Sequence, residues 1–293
     1  MASGVSSAVH LPSRFSVLSE LGRGTFGVVL RCHDTVYTSE VAVKVIESAA
    51  FKAWQARSGS KITGDQEFLV ASRLSHPGIV TMLDLLSVRD RWCVVMELVP
   101  GVCWFDYLVE TGPLPPRETL LCMHCLLKAL SYCHGVGVIH RDVKPENAIL
   151  VPGSCDLLKL VDFGVAAACA GNLCYSRVGS SMYMAPEVIR ASSVSSDSTL
   201  GYDCRADVWS AGICLYVVWC AELPYDEGWF PTTSPACFEI DFDNTVWRQD
   251  SSTAARRIVS HMTTFDAARR PVSEELAAVA YWLSADDDLP CST

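Results

Sequence analysis

One short segment limits what this chain can fold into more than any other: residues 140–147, which read His-Arg-Asp-Val-Lys-Pro-Glu-Asn. Asp142 and Asn147 stand five residues apart there, in a loop between apolar runs. A carboxylate held in such a loop can orient an attacking hydroxyl and take its proton. The amide oxygen of Asn147 is a hard ligand of the kind Mg2+ prefers. Lys144 places a positive charge where a phosphoryl group in transfer develops negative charge. Asp162-Phe163-Gly164 begins 20 residues after Asp142, behind the apolar strand at 158–161, and Asp162 supplies a carboxylate for the same metal. Another 25 residues on comes Glu187, in Ala185-Pro186-Glu187.

Upstream, residues 22–29 read Gly-Arg-Gly-Thr-Phe-Gly-Val-Val. Glycines let backbone amides approach phosphate oxygens, but a GxGxxG also serves as an ordinary hairpin turn. A dinucleotide site needs a helix after the glycines. Here the strand at 28–31 follows, which favours a hairpin lid over phosphates. Val41-Ala42-Val43-Lys44 comes next, and a lysine turned inward from a strand needs a carboxylate partner. Glu67 is the candidate on the helix predicted over 64–74, with His76-Pro77 nine residues later marking that helix's end and favouring Glu67 over Asp65. Taken singly, Lys44 could be a surface lysine on an edge strand and Glu67 a solvated helical glutamate. Order and spacing separate the readings.

Six motifs in this order resemble the signature of eukaryotic protein kinases, over about residues 14–284. The resemblance implies an α+β, two-lobed fold: a small antiparallel β N-lobe with one main helix, and a larger, mainly helical C-lobe. It implies a tail at 1–13, an N-lobe at 14–96, a hinge at 97–101, a C-lobe at 102–284 and an acidic tail at 285–293. It also implies ATP and Mg2+ as cofactors. Leu21, Gly22, Arg23, Gly24, Thr25, Phe26 and Gly27 would bind the nucleotide, with the amides around Gly24–Gly27 covering the phosphates. Lys44 would bind the α/β-phosphates and pair with Glu67. Val29, Ala42 and Ile149 would sandwich adenine, Glu97 and Val99 would meet it through hinge backbone groups, and Met96 would guard the back pocket. Asp142 would be the catalytic base, with Asn147 and Asp162 holding Mg2+. Asp207 resembles the aspartate that braces the catalytic loop, and Glu187 with Arg270 a buried ion pair.

Lys144 and Ser180 point to the Ser/Thr class, and the helical-lobe text is most similar to calcium/calmodulin-dependent-type kinases. No calmodulin-binding helix or EF-hand loop follows, so calcium sensing by this chain is not expected. Arg141 would meet a phosphate on Ser176, placed there by an upstream kinase. Three positions depart from the family pattern. Ala71 is smaller than the residue that usually completes the apolar stack with Phe163 and His140. Cys103 stands where arginine-directed kinases often have Glu, leaving Glu146 as a reader of basic substrates. The Ser-rich stretch at 191–201 has no counterpart.

Composition narrows the remaining choices. Half the residues are hydrophobic and 19% charged, enough to bury a sizeable core. A net charge of −10 argues against non-specific nucleic-acid binding. The 14 cysteines do not space like a disulfide framework. Cys122 and Cys125 form a CxxC inside an apolar helical run with no second pair, so they read as packing rather than zinc ligands. Cys169 and Cys174 fall in a loop. With Ala2 in second place no myristoyl group is expected, and the apolar run at 212–221 is too short to span a bilayer. A soluble cytoplasmic or nuclear protein acting on protein substrates is expected, with no membrane anchor. A pseudokinase scaffold would lack Lys44, Asp142 or Asp162, and a small-molecule kinase would lack the Ala-Pro-Glu element. A P-loop is absent.

Overall fold

Strand-length runs of β-branched and apolar residues shape the first part of the chain. In the computed structural model, which describes residues 11–24, 27–58, 62–153, 158–169, 171, 173–191, 201–225, 240–242, 247 and 253–284, two units separate. The first contains the residues up to Ser75 together with Val80–Pro100. Thr25 and Phe26, both tails, the Ser-rich residues 192–200, the proline-bearing stretch at 227–235 and the side chains of 281–283 lie outside the described residues. Strands β1 (Phe15–Gly24), β2 (Gly27–Asp34) and β3 (Ser39–Glu47) are followed by helices α1 (Ser48–Ser58) and α2 (Gln66–Ala71). Strands β4 (Met82–Val88) and β5 (Arg91–Glu97) complete an antiparallel sheet in the order β1-β2-β3-β5-β4. Along β2, Val28, Leu30, Cys32 and Asp34 are buried while Arg31 and His33 are exposed, the period of two of a half-covered strand. These inward residues pack with Phe15, Val41, Val43, Val45, Cys93 and Val95. Asp34 is fully buried among them. Arg14 compensates it with two guanidinium N–H bonds of 2.8 Å and also reaches Asp84 at 2.6 Å.

The helix predicted over 64–74 is shorter than its pattern. It ends at Ala71, and the N–H groups of Arg73 and Leu74 turn back to Val70 and Ala71 in tighter three-residue bonds. Pro77 disfavours helical backbone at His76, so no helix could run on through it. Helix α1 was not anticipated. Its Ala, Lys, Gln and Arg content supports helix, and Phe51 anchors it beside Trp54 and Trp92 at ring separations of 5.6 and 6.3 Å.

The second unit contains His76–Ile79 and the chain from Gly101 onward. Strand β6 (Val102–Cys103) leads into α3 (Trp104–Thr111) and α4 (Pro116–Gly135). Short strands β7 (Val138–Ile139), β8 (Ala148–Leu150), β9 (Leu158–Leu160) and β10 (Ala167–Ala168) follow. Then come α5 (Pro186–Arg190), α6 (Arg205–Cys220), α7 (Thr253–Met262) and α8 (Ser273–Ser284). Every residue of α6 after Arg205 is buried, as expected of a helix apolar on all sides. It forms the axis of this unit, packing against α4 and α7, while α8 lies along α4. No helix among the described residues is long and apolar enough to cross a membrane. On α4, Cys122 is buried and Cys125 partly so, and burial pushes the Cys122 thiol up to about 12. Among the described residues no cluster could hold a metal through His, Cys, Asp and Glu alone.

One pair of cysteines is cross-linked. Cys169 and Cys174 are joined in a disulfide across a separation of five residues. The pair was hidden because it is local to one turn of chain and not part of a repeating framework.

Candidate active site

In the second unit, short strands hold a loop that is braced by several hydrogen bonds. Strand β7 pairs with β10, and β8 with β9, so the loop from His140 to Asn147 is fixed at both ends. Asp207, at the start of α6 and fully buried, holds the near end. Its Oδ1 accepts the Arg141 N–H and its Oδ2 the His140 N–H, each at 2.8 Å. His134 Nε2, from the last turn of α4, lies 2.9 Å from the same Oδ2. Burial alone would push this carboxyl up. The His134 hydrogen bond and the backbone donors outweigh it and hold the group below the usual carboxylate range. Arg141 itself sits at φ 68°, a strained conformation that the two amide bonds pin in place.

Asp142 is the hub of the loop. Its Oδ1 accepts the Ser180 N–H at 2.7 Å, and its Oδ2 accepts from Asn147 Nδ2 at 3.0 Å. Lys144 Nζ lies 3.1 Å from Oδ2 and donates to Ser180 Oγ at 2.6 Å. Asn147 Nδ2 also reaches the Asp142 carbonyl at 2.8 Å. With both amide hydrogens used on Asp142, the Asn147 Oδ1 faces away and accepts no hydrogen bond among the described residues. Asp162 has φ 58°, and its Oδ1 accepts the Gly164 N–H at 3.0 Å. The next residue, Phe163, is fully buried edge-on to His140 at 4.7 Å. Ile149 is part-buried on β8. Cys103 Sγ lies 3.7 Å from the Glu146 carbonyl, and burial raises its thiol pKa.

Gly179 allows the segment after Asp162 to lie on this loop. It has φ 106°, and a β carbon there would overlap the Arg141 carbonyl oxygen. Tyr202, which no sequence pattern singles out, completes the arrangement. Its hydroxyl donates to the Ser176 carbonyl at 2.7 Å and lies 3.5 Å from Arg141 Nη1. Arg141 Nε donates to the Val165 carbonyl at 2.6 Å, so neutral oxygens receive its charge, and no carboxylate pairs with it among the described residues. Glu187 and Arg270 form a two-pronged ion pair at 2.6 and 3.2 Å, with Arg270 buried.

In the first unit, Lys44 Nζ lies 2.7 Å from Glu67 Oε2, with both side chains buried. Lys44 is opposite Val29 in the β2–β3 register, and Ala42 is opposite Met96 in the β3–β5 register. Met96 is buried. Gly22, Gly24 and Gly27 lie where β1 turns into β2. A β carbon on Gly27 would overlap the Val45 carbonyl, while Gly22 and Gly24 face open space. Leu21 is half exposed, and the Arg23 guanidinium pairs with Glu20 at 2.9 Å on its own strand. Glu97 is tied to Thr81 by its backbone N–H at 3.0 Å and its carboxylate at 2.8 Å. The Val99 backbone makes no hydrogen bond among the described residues.

Comparison with known proteins shows the family. A model of the protein kinase domain matches residues 15–282. Testis-specific serine/threonine-protein kinase 3 of Homo sapiens is 34% identical over 230 residues, covering 74% of this chain and 77% of that protein. Calcium/calmodulin-dependent protein kinase type 1B of Rattus norvegicus is 29% identical over 284 residues, covering 94% of this chain and 77% of its own length. Serine/threonine-protein kinase DCLK2 of Rattus norvegicus is 28% identical over 289 residues, covering 96% of this chain. The chain spans only 35% of that last relative.

Proposed function

The chain belongs to the protein kinase domain family, and on that premise we propose that it transfers the γ-phosphoryl group of Mg-ATP to Ser or Thr hydroxyls of protein substrates. The observation that carries this reading is the Asp142 hub: a carboxylate held by Asn147, Lys144 and the Ser180 amide. Such a group is oriented before substrate arrives, which is where positioning contributes most to the rate. Asp142 would align the attacking hydroxyl and take its proton, and Lys144 would balance the charge of the group in transfer. The donor set fits Mg2+: a free amide oxygen on Asn147 and the carboxylate of Asp162 are hard oxygen ligands. When bound, the metal neutralises phosphate charge. Lys44, oriented by Glu67, would hold the α/β-phosphates, and backbone amides of the glycine-rich turn would cover them. Val99 offers unused backbone groups to adenine, with Glu97 beside it. Val29, Ala42, Met96 and Ile149 would supply apolar contacts.

Lys144 bonded to Ser180 Oγ supports the Ser/Thr class. Regulation follows from Arg141. Its charge meets neutral oxygens, and Ser176 is part exposed next to the Tyr202 hydroxyl that joins them. An upstream kinase acting on Ser176 would add a phosphate for which Arg141 is the natural partner. In the test, the full chain phosphorylates a degenerate peptide array with Mg-ATP, and Asp142→Asn and Lys44→Met abolish transfer. Normal turnover by Asp142→Asn refutes the base assignment, and full activity of Ser176→Ala after treatment with activating kinases refutes the phosphorylation reading.

A further inference from the structure

The Cys169–Cys174 disulfide spans a junction between two anchor points on the catalytic loop's surroundings. On one side, Cys169 follows β10, which pairs with β7, and its N–H donates to the Gly137 carbonyl at 2.7 Å. Strand β7 runs directly into His140. On the other side, Cys174 and Tyr202 exchange both backbone hydrogen bonds, at 2.8 and 2.9 Å. Tyr202 in turn carries the bond to Ser176 and the contact to Arg141. Burial pushes the Tyr202 hydroxyl pKa up and keeps it a neutral donor. Beyond the backbone itself, the disulfide cross-links these anchors side chain to side chain.

We propose that the Cys169–Cys174 disulfide is a reversible redox clasp on the segment between Asp162 and Ala185, holding it in the arrangement that engages Arg141 through Tyr202 and Asp142 through Ser180. The effect on turnover rests on the kinase reading above. The order of access favours the chemistry. Cys169 is part exposed, whereas Cys174 is buried. A small thiol such as glutathione attacks Cys169 Sγ as its thiolate. A mixed disulfide forms, the Cys169–Cys174 bond breaks, and Cys174 departs as a thiolate that takes up a proton. A second thiol resolves the mixed disulfide. One protein disulfide and two glutathione thiols thus become two cysteines and one glutathione disulfide, and oxidation is the reverse.

Closing a span this short restricts the open chain enough to shift the ordered population by roughly 30-fold. The test equilibrates the full chain across ratios of reduced to oxidised glutathione, beside a Cys169→Ser/Cys174→Ser variant. Mass spectrometry after alkylation counts the thiols, limited trypsin digestion reports cleavage at exposed Arg177, and a peptide assay with Mg-ATP reports turnover. The clasp predicts that reduction of the wild type speeds Arg177 cleavage and lowers turnover, by up to about 30-fold. The double variant should match the reduced wild type at every ratio. If no form phosphorylates peptide while Arg177 protection still follows the ratio in the wild type alone, the kinase reading fails and the clasp stands. Free thiols at both positions under oxidising ratios, or equal cleavage and turnover in both proteins throughout, overturns the clasp.

Discussion

Replacing Asp207 by Asn tests how the catalytic loop is held. The side chain keeps its size and loses one acceptor oxygen and the charge. Three donors now converge on the carboxylate: the His140 and Arg141 amides and His134 Nε2. The amides use different oxygens, so an asparagine amide can face only one of them with its carbonyl. In either orientation a backbone N–H in a fully buried site meets an NH2 group. That orphaned donor costs about 1–3 kcal/mol, and losing charge from the surviving bonds costs about 1 kcal/mol each. The sum, about 3–5 kcal/mol, equals that of breaking a buried ionic contact. It is a large share of the roughly 5–15 kcal/mol that holds a typical domain. At about 2–4 °C per kcal/mol, the thermal midpoint should fall by roughly 10 °C. Turnover should fall further than stability alone requires at temperatures where the variant is folded, because Arg141 loses the bond that pins its positive φ. Urea titration and steady-state kinetics at 20 °C separate the two effects. An unchanged midpoint with unchanged turnover would show that the loop is held by β7 and β8 alone.

Other perturbations isolate other contacts. Gly179→Ala introduces a β carbon onto the Arg141 carbonyl at φ 106°, so the segment should lift from Asp142 and turnover fall at least about tenfold with little change in urea midpoint. Glu187→Gln strips the charged partner from buried Arg270 and should lower stability by about 3–5 kcal/mol in urea titration. Tyr202→Phe removes both the bond to Ser176 and the contact to Arg141, and should speed tryptic cleavage at Arg177. Acid stability probes the first unit. The Arg14 hydrogen bond outweighs burial and holds the Asp34 carboxyl below its ordinary value. A lowered folded pKa gives stability that is complete above the unfolded value of about 4 and drains away as pH falls through the folded one. Arg14→Ala should therefore flatten the acid limb of a stability–pH curve.

Most of the site was legible because its residues work at fixed sequence spacings. Asp142, Lys144 and Asn147 lie in one turn of chain, so their convergence follows from local geometry. Lys44 could be paired with Glu67 because a lysine buried on a strand must find a carboxylate, and few are within reach. The sheet was legible from β-branched and apolar runs of strand length. What escaped depends on long separations or on neutral groups. Helix α1 is carried by Phe51 against Trp92, more than 40 residues away in the chain. Helix α2 was overestimated because periodicity does not register where a chain turns to three-residue bonds before Pro77. Tyr202 follows a Ser-rich stretch with no motif, and its role rests on a hydroxyl whose partners, Ser176 and Arg141, are 26 and 61 residues distant.

Tyr202 also links two inputs that would otherwise look independent. The Ser176 carbonyl is held by the Tyr202 hydroxyl, and Tyr202 is held by the backbone of Cys174. A phosphate on Ser176 and a disulfide at Cys174 would therefore act on the same stretch of chain from opposite sides. If each merely favours the same ordered segment, they share one order–disorder equilibrium, and their effects cannot add without limit. Whichever comes first removes most of the disorder and leaves less for the second to gain. The coupling has a definite sign. Reduction should depress the turnover of Ser176→Ala more than that of protein phosphorylated at Ser176, because Arg141 then has an ionic partner that outlasts the loss of the clasp. Equal fold-losses in the two proteins would mean that the disulfide and Arg141 act on separate elements, with Tyr202 a packing residue between them.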